Sequence, residues 1–169
     1  LKLIVTNGCR VDSIPGRTLL LDGDGYAASG GPVKAGESSN HITMSAWVKA
    51  DGPQTDFAGI LFMRGDNVAG GLSVTENNGL RYHWDNSGWW WDSGLILPDG
   101  EWAHVSLVIS PQKAVIYLNG IPATHTAVQL PESLDQPLQI GFDNGDRRFR
   151  GQIEEVCVWN TDLTQDQVR

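Results

Sequence analysis

WAHVSLVISPQKAVIYLNG, residues 102–120, reads as two strands and the turn between them. In its first half Val105, Leu107 and Ile109 share one face, the period-two spacing of an extended chain. Pro111-Gln112-Lys113 breaks the run and AVIYLNG (114–120) resumes it, so the stretch predicts an antiparallel hairpin.

Working outward, the same signature recurs. In HITMSAWVKA (41–50), Ile42, Met44, Ala46 and Val48 take one face and Thr43, Ser45, Trp47 and Lys49 the other. AGILFMRGD (58–66) and GGLSVTENNG (70–79) follow, and Asn78-Gly79 is a hairpin turn signal. LRYHWD (80–85) alternates, and Pro98-Asp99-Gly100 marks another turn. TLLLDG (18–23), PLQIGF (137–142) and GQIEEVCVWN (151–160) complete the set. Roughly nine or ten strands with almost no helix predict an all-β sandwich of two antiparallel sheets. The only helix signal is Thr164 with Gln167 three residues on, a capping-box pattern at the very end.

The 169 residues suit one domain, taken here as 1–169, and 40% hydrophobic residues suffice for a core. Twenty Gly and eight Pro suit many short elements joined by turns. A net charge of −8 argues against nucleic acid, and Arg147, Arg148 and Arg150 sit beside Asp143 and Asp146 as a charged turn would. No apolar run is long enough to insert into a membrane. The chain opens on LKLIVT rather than Met and stops at TQDQVR, so we expect a piece of a longer protein with other domains. Cys9 and Cys157 lack metal spacing; a disulfide and two separate thiols both remain open.

Together these pieces resemble a known family. LDGDGY (21–26), ITMSAWVK (42–49), DGEWAHVSLVIS (99–110), AVIYLNG (114–120), LQIG (138–141) and FRGQIEEVCVWNTDLTQDQV (149–168) are similar, in order and spacing, to the concanavalin A-like jelly rolls. Within these they resemble the laminin-G-like domains of bacterial secreted and surface proteins. The resemblance runs from about Thr18 to the end and implies a secreted or cell-surface setting. The first 17 residues fit less well and are expected to supply an edge strand near the C-terminal strand.

The resemblance implies two chemistries. Glycoside hydrolases on this jelly roll carry Glu-x-Asp-x-x-Glu on one strand. This chain lacks the pattern, and alternation sends Glu154 and Glu155 to opposite faces, so we expect no enzyme. The family often binds one Ca²⁺ where the first strand's Asp-Gly turn meets the last long strand. Asp22 and Asp24 match the turn, and Glu154 or Glu155 matches the strand, so a structural calcium site is expected there. The alternative is a plain tight turn.

HWDNSGWWWDSG (83–94) adds a ligand candidate. On an extended strand Trp89 and Trp91 share a face and Trp90 takes the other. One or both of the pair should be core with Trp84, Trp47 and Trp102, while Trp90 faces outward. Related sequences look like Trp-Ser-Trp here, which makes Trp90 the departure. Sugar rings stack on indoles, and polar groups bond their hydroxyls. The candidate site is therefore Trp90 and Trp89 with His83, Asp85, Asn86, Asp92 and Arg64. This reads as a noncatalytic carbohydrate-binding module whose partner is a polysaccharide or other glycan. The alternative is a protein-binding or adhesion module, with Trp90 against a protein ligand or a neighbouring domain.

Overall fold

A β-strand that buries one face needs a second apolar layer opposite it, and two sheets supply it here. The computed structural model describes residues 18–168 except 35, 67 and 87, together with the backbone of two short strands near the N-terminus. The strands are, in chain order, β1 (Leu3–Val5), β2 (Cys9–Val11), β3 (Leu19–Asp22), β4 (Ala27–Pro32), β5 (Ser38–Ser39), β6 (Ile42–Ala50), β7 (Ala58–Gly65) and β8 (Val68–Val74). There follow β9 (Gly79–His83), β10 (Trp90–Ile96), β11 (Ala103–Ser110), β12 (Lys113–Leu118), β13 (Ile121–His125), β14 (Glu132–Ser133), β15 (Pro137–Ile140), β16 (Arg150–Trp159) and a one-turn helix α1 (Gln165–Val168).

The first sheet has the order β1-β4-β15-β7-β8-β9-β10 and the second β13-β12-β11-β6-β16-β3-β2, with β14-β5 as a small extra pair. All named pairings are antiparallel, and non-sequential neighbours make the sandwich a jelly roll. The hairpin expected over residues 102–120 is β11–β12, from Val105↔Leu118 to Ser110↔Lys113. The N-terminal segment supplies two edge strands: β1 on β4, and β2 on β3 beside β16.

The core lies between the sheets. Met44, Ala46 and Val48 face Leu61, Leu72 and Tyr82 in one cluster, all fully buried. Trp84 is the largest side chain in it, with Nε1 donating to the Leu130 carbonyl at 2.8 Å. A ring of that size removes on the order of 200 Å² from water, at most about 5 kcal/mol. It fits because residue 70 is glycine: a Cβ there would lie 2.8 Å from the indole.

At the open side of the sandwich β10 approaches β13, and Trp91 stacks on His125 with centroids 5.0 Å apart and planes within 2°. Beneath them Tyr82 hydroxyl meets His125 Nδ1 at 2.7 Å and donates to Gln129 Oε1 at 3.3 Å, and burial pushes its pKa up to about 12. Thr164 N donates to Gln167 Oε1 at 2.9 Å, half of the expected capping box, and starts α1. No helix among the described residues is long and apolar enough to cross a membrane.

Two readings of the tryptophans change. Trp47 is not core: it points outward from β6, 37% exposed. Trp102 is only half-buried. Cys157 carries a free, exposed thiol, and the side chain of Cys9 lies outside the described residues. Cys9 pairs in register with Leu21, and Leu21 with Gly151, six positions along β16 from Cys157.

Candidate functional site

β10 is the edge of the first sheet, and its register on β9 sets the tryptophans. Trp90 lies opposite His83, Trp91 opposite Tyr82, and Asp92 opposite Arg81. Trp91 therefore turns inward with Tyr82, while Trp90 shares the outer face with His83 and Arg81. Trp89 precedes the strand with φ +63°, so it escapes the strand's alternation. It is 60% exposed and Trp90 46%, and the two indoles form a rim at this edge.

What supports the rim comes mostly from elsewhere in the chain. Phe57, from the loop before β7, meets Trp90 edge to face at 5.9 Å and stacks on His83 at 5.4 Å. Arg81 is wedged between them, its Cζ 4.0 Å from the Phe57 centroid and 5.0 Å from that of Trp90. Arg81 Nε donates to Asp92 Oδ1 at 2.6 Å and its Nη1 to Asp56 Oδ1 at 3.0 Å. Fully buried Asp143 holds two more guanidiniums: Arg64 Nε at 2.5 Å and Arg147 Nη1 at 3.1 Å. Arg147 lies over Phe57 and Arg64 over Phe62.

The structure brings Trp89, Trp90 and half-exposed Asp92 together at one surface and keeps other candidates away from it. His83 is buried between Phe57 and Phe62, and that burial lowers its pKa to about 4, so it is neutral at neutral pH. Asn86 is buried too: its Nδ2 donates to Tyr82 Oη and Gln129 Oε1, and its Oδ1 accepts from Gly88 N. Asp85 is half-buried, its carbonyl accepting from Leu130 N. Arg64 is committed to Asp143. Sequence reasoning missed Phe57, Asp56, Arg81 and Arg147. Pairing LRYH against WWDS across the hairpin would have placed Arg81 opposite Asp92; no local signal points to Phe57.

The calcium expectation is overturned. Among the described residues no group of three or more His, Cys, Asp or Glu side chains is placed to hold a metal ion. Register gives the reason. Asp22 lies opposite Arg150, a cation, and Glu154 is four positions further along β16, roughly 13 Å away. Asp22 Oδ1 accepts from Asp24 N at 3.0 Å, the tight turn of the alternative reading. Glu154 Oε2 accepts from Thr18 Oγ1 at 2.6 Å, and Glu155 points into a cleft on the second sheet.

The two glutamates do not take opposite faces either. A bulge between Glu154 and Cys157, with Glu155 at φ +51°, breaks the alternation. Glu154 pairs with outward Trp47 and Glu155 lines the outer cleft, so both face out, while Val156 packs on the core.

A two-sheet antiparallel jelly roll with core-filling aromatics between the sheets is a β-sandwich of the lectin-like class. Residues 21–169 match the family model of the concanavalin A-like lectin/glucanases superfamily, and the chain belongs to that family. No curated protein matches it. Among solved structures it is similar to domain 4 of AbnA, a GH43 extracellular arabinanase from Geobacillus stearothermophilus, in complex with arabinotriose. Identity there is 20% and the TM-score 0.76, over 98% of this chain and 85% of that one. A putative carbohydrate binding protein from Bacteroides ovatus matches at 23% identity and TM-score 0.68, over 85% of this chain and 43% of that one. Trypanosoma rangeli sialidase in complex with sialic acid matches at 20% identity and TM-score 0.69, over 99% of this chain but 28% of the sialidase. At these identities the likeness is one of fold.

Proposed function

We propose that the chain is a noncatalytic carbohydrate-binding module of a secreted or cell-surface multidomain protein. In this reading a polysaccharide or other glycan stacks on Trp89 and Trp90 while Asp92 accepts from its hydroxyls. The observation that carries it is the pair of adjacent indoles, 60% and 46% exposed, with Trp90 braced by Phe57 and Arg81. An indole left in water with its face open is costly unless something covers it. Family membership supports the reading, as does the arabinotriose bound to the arabinanase domain. Single-site affinity should be weak, and repetition in a parent chain would raise it.

A glycan array followed by calorimetry tests it. Trp90→Ala should weaken binding of an array hit about tenfold, with the fold intact by circular dichroism. Unchanged affinity in the Trp89→Ala/Trp90→Ala double variant would remove the rim from the reading. A protein-binding or adhesion role is the second reading. It is favoured by one feature: Trp89, Trp90 and Ile96 are all exposed along the edge of a sheet, where another chain can pair. A blank array with a defined protein recovered by pull-down, lost in Trp90→Ala, would select it.

A further inference from the structure

The second sheet carries on its outer face a cleft of about 740 Å³ that the rim does not use. Two indoles stand in it, Trp47 on β6, 37% exposed, and Trp159 on β16, 38% exposed. Register fixes their spacing. Trp159 lies opposite Thr43, four positions from Trp47 along β6, so the two residues are set roughly 13 Å apart along the strands. Between them the floor is polar: Ser45 and Cys157 face each other, and Ser106 follows on β11. Ser106 is fully buried, and its hydroxyl has no hydrogen-bond partner. His104 stands beside Trp47 with ring centroids 5.5 Å apart.

The C-terminal segment walls one side. Leu163 N donates to Thr43 Oγ1 at 3.0 Å, and Gln165 Nε2 donates to the Gly120 carbonyl at 3.2 Å. Val168 packs on Val108, Val115 and Tyr117, which holds that wall in place.

The charge of the lining narrows the ligand. Among the described residues neither Lys nor Arg lines the cleft, and its one carboxylate is Glu155. Burial lowers the pKa of His104, which keeps the imidazole neutral at neutral pH. An anionic ligand would find no counter-charge, and a wholly apolar one would leave buried hydroxyls unpaired. A neutral sugar chain has C–H faces for the two indoles and hydroxyls for the floor between them.

We infer that this cleft is a second glycan site, specific for a neutral oligosaccharide that stacks on Trp47 and Trp159 and bonds the hydroxyl floor. It rests on the reading of the domain as a glycan binder but not on the rim. Because cleft and rim lie on the outer faces of opposite sheets, one module would hold two glycan segments at once.

The test uses the full chain with linear neutral arabino-, xylo- and gluco-oligosaccharides, and hexuronate oligomers of the same lengths as the anionic series. In the Trp89→Ala/Trp90→Ala variant, which lacks the rim, a neutral oligomer should still bind, at one site per chain. Added to that variant, folded Trp47→Ala and Trp159→Ala should each lower its affinity about tenfold or more. Hexuronates should not bind the rim-less variant. In case either alanine variant unfolds, the indole N–H resonances of Trp47 and Trp159 in the wild type should shift on titration with that oligomer. Neutral binding untouched by both cleft variants, with those resonances still, would overturn the cleft and leave the rim reading standing. Loss of all neutral binding in the rim double variant would do the same. No binding of any glycan to the wild type would overturn the cleft together with the module reading.

Discussion

The outer faces of the two sheets obey one alternation and end in opposite chemistries. On the first sheet Phe57 and Phe62 flank His83, three guanidiniums lie over aromatic rings, and Asp143 is buried beneath. That face is covered by the loop-borne ring of Phe57 and by ion pairs, and the Trp89–Trp90 rim stays open at its edge. The second sheet keeps its centre as a cleft floored by hydroxyls, with no Lys or Arg among the described residues of its lining. The fold decides which residues point outward. The loops decide whether those positions are covered.

If ion pairs seal the first face, removing their hub should cost the most. Asp143→Ala leaves Arg64 and Arg147 facing one another without an anion. Breaking such a buried pair costs about 3–5 kcal/mol, and here about 3 because both guanidiniums reach solvent. Urea denaturation should show this, whereas Ser45→Ala on the cleft floor should stay within about 0.5 kcal/mol. Equal midpoints for the two variants would erase the contrast between the faces.

Acid should act on the sealed face next. His83 is buried neutral with a folded pKa of about 4, below its usual value. A histidine depressed in this way takes up a proton more readily when unfolded. Its contribution is therefore complete above about pH 6.5 and is lost as pH falls toward about 4, by roughly 2–3 kcal/mol. Denaturation curves at pH 7, 5 and 4 should show the loss, and His83→Gln should flatten it. If His104→Gln in the cleft flattened the profile as much, the two faces would not differ in this respect.

The fold was legible because a period of two survives in single residues: β6 and the β11–β12 hairpin lie where alternation put them. Trp47 shows how a correct pattern can be overruled by a weaker argument. Alternation grouped it with Thr43 and Ser45, on the face that the structure turns outward, and its size alone assigned it to the core. The site was less legible, because it depends on breaks in that pattern. Trp89 and Glu155 both have left-handed φ values, which nothing in a Trp or Glu announces. Phe57 reaches Trp90 only through the fold, and the calcium ligands failed on register, which set Arg150 and not Glu154 opposite Asp22.

Arg81 offers a smaller test confined to the rim. Its guanidinium is 7% exposed between two carboxylates and two ring faces, a geometry that an ammonium cannot reproduce. Arg81→Lys should cost about 1–2 kcal/mol in thermal or urea denaturation. It should leave any ligand of the opposite face bound as before.

The smallest effect sharpens the comparison from the cleft side. Glu155 holds φ +51° in the β16 bulge, and glycine adopts that conformation without the Cβ clash. Glu155→Gly should therefore be neutral or stabilising, by about 0.5 kcal/mol in urea denaturation. It also removes the one carboxylate among the described residues of the cleft lining, while His104 loses a charge that favoured its protonation and stays neutral. If the cleft works through indole faces and hydroxyls, neutral-oligosaccharide affinity should change no more than about twofold, which is under 0.5 kcal/mol. A tenfold loss in this folded variant would mean that the carboxylate takes part in recognition, and the cleft would then resemble the rim, where Asp92 stands beside Trp90.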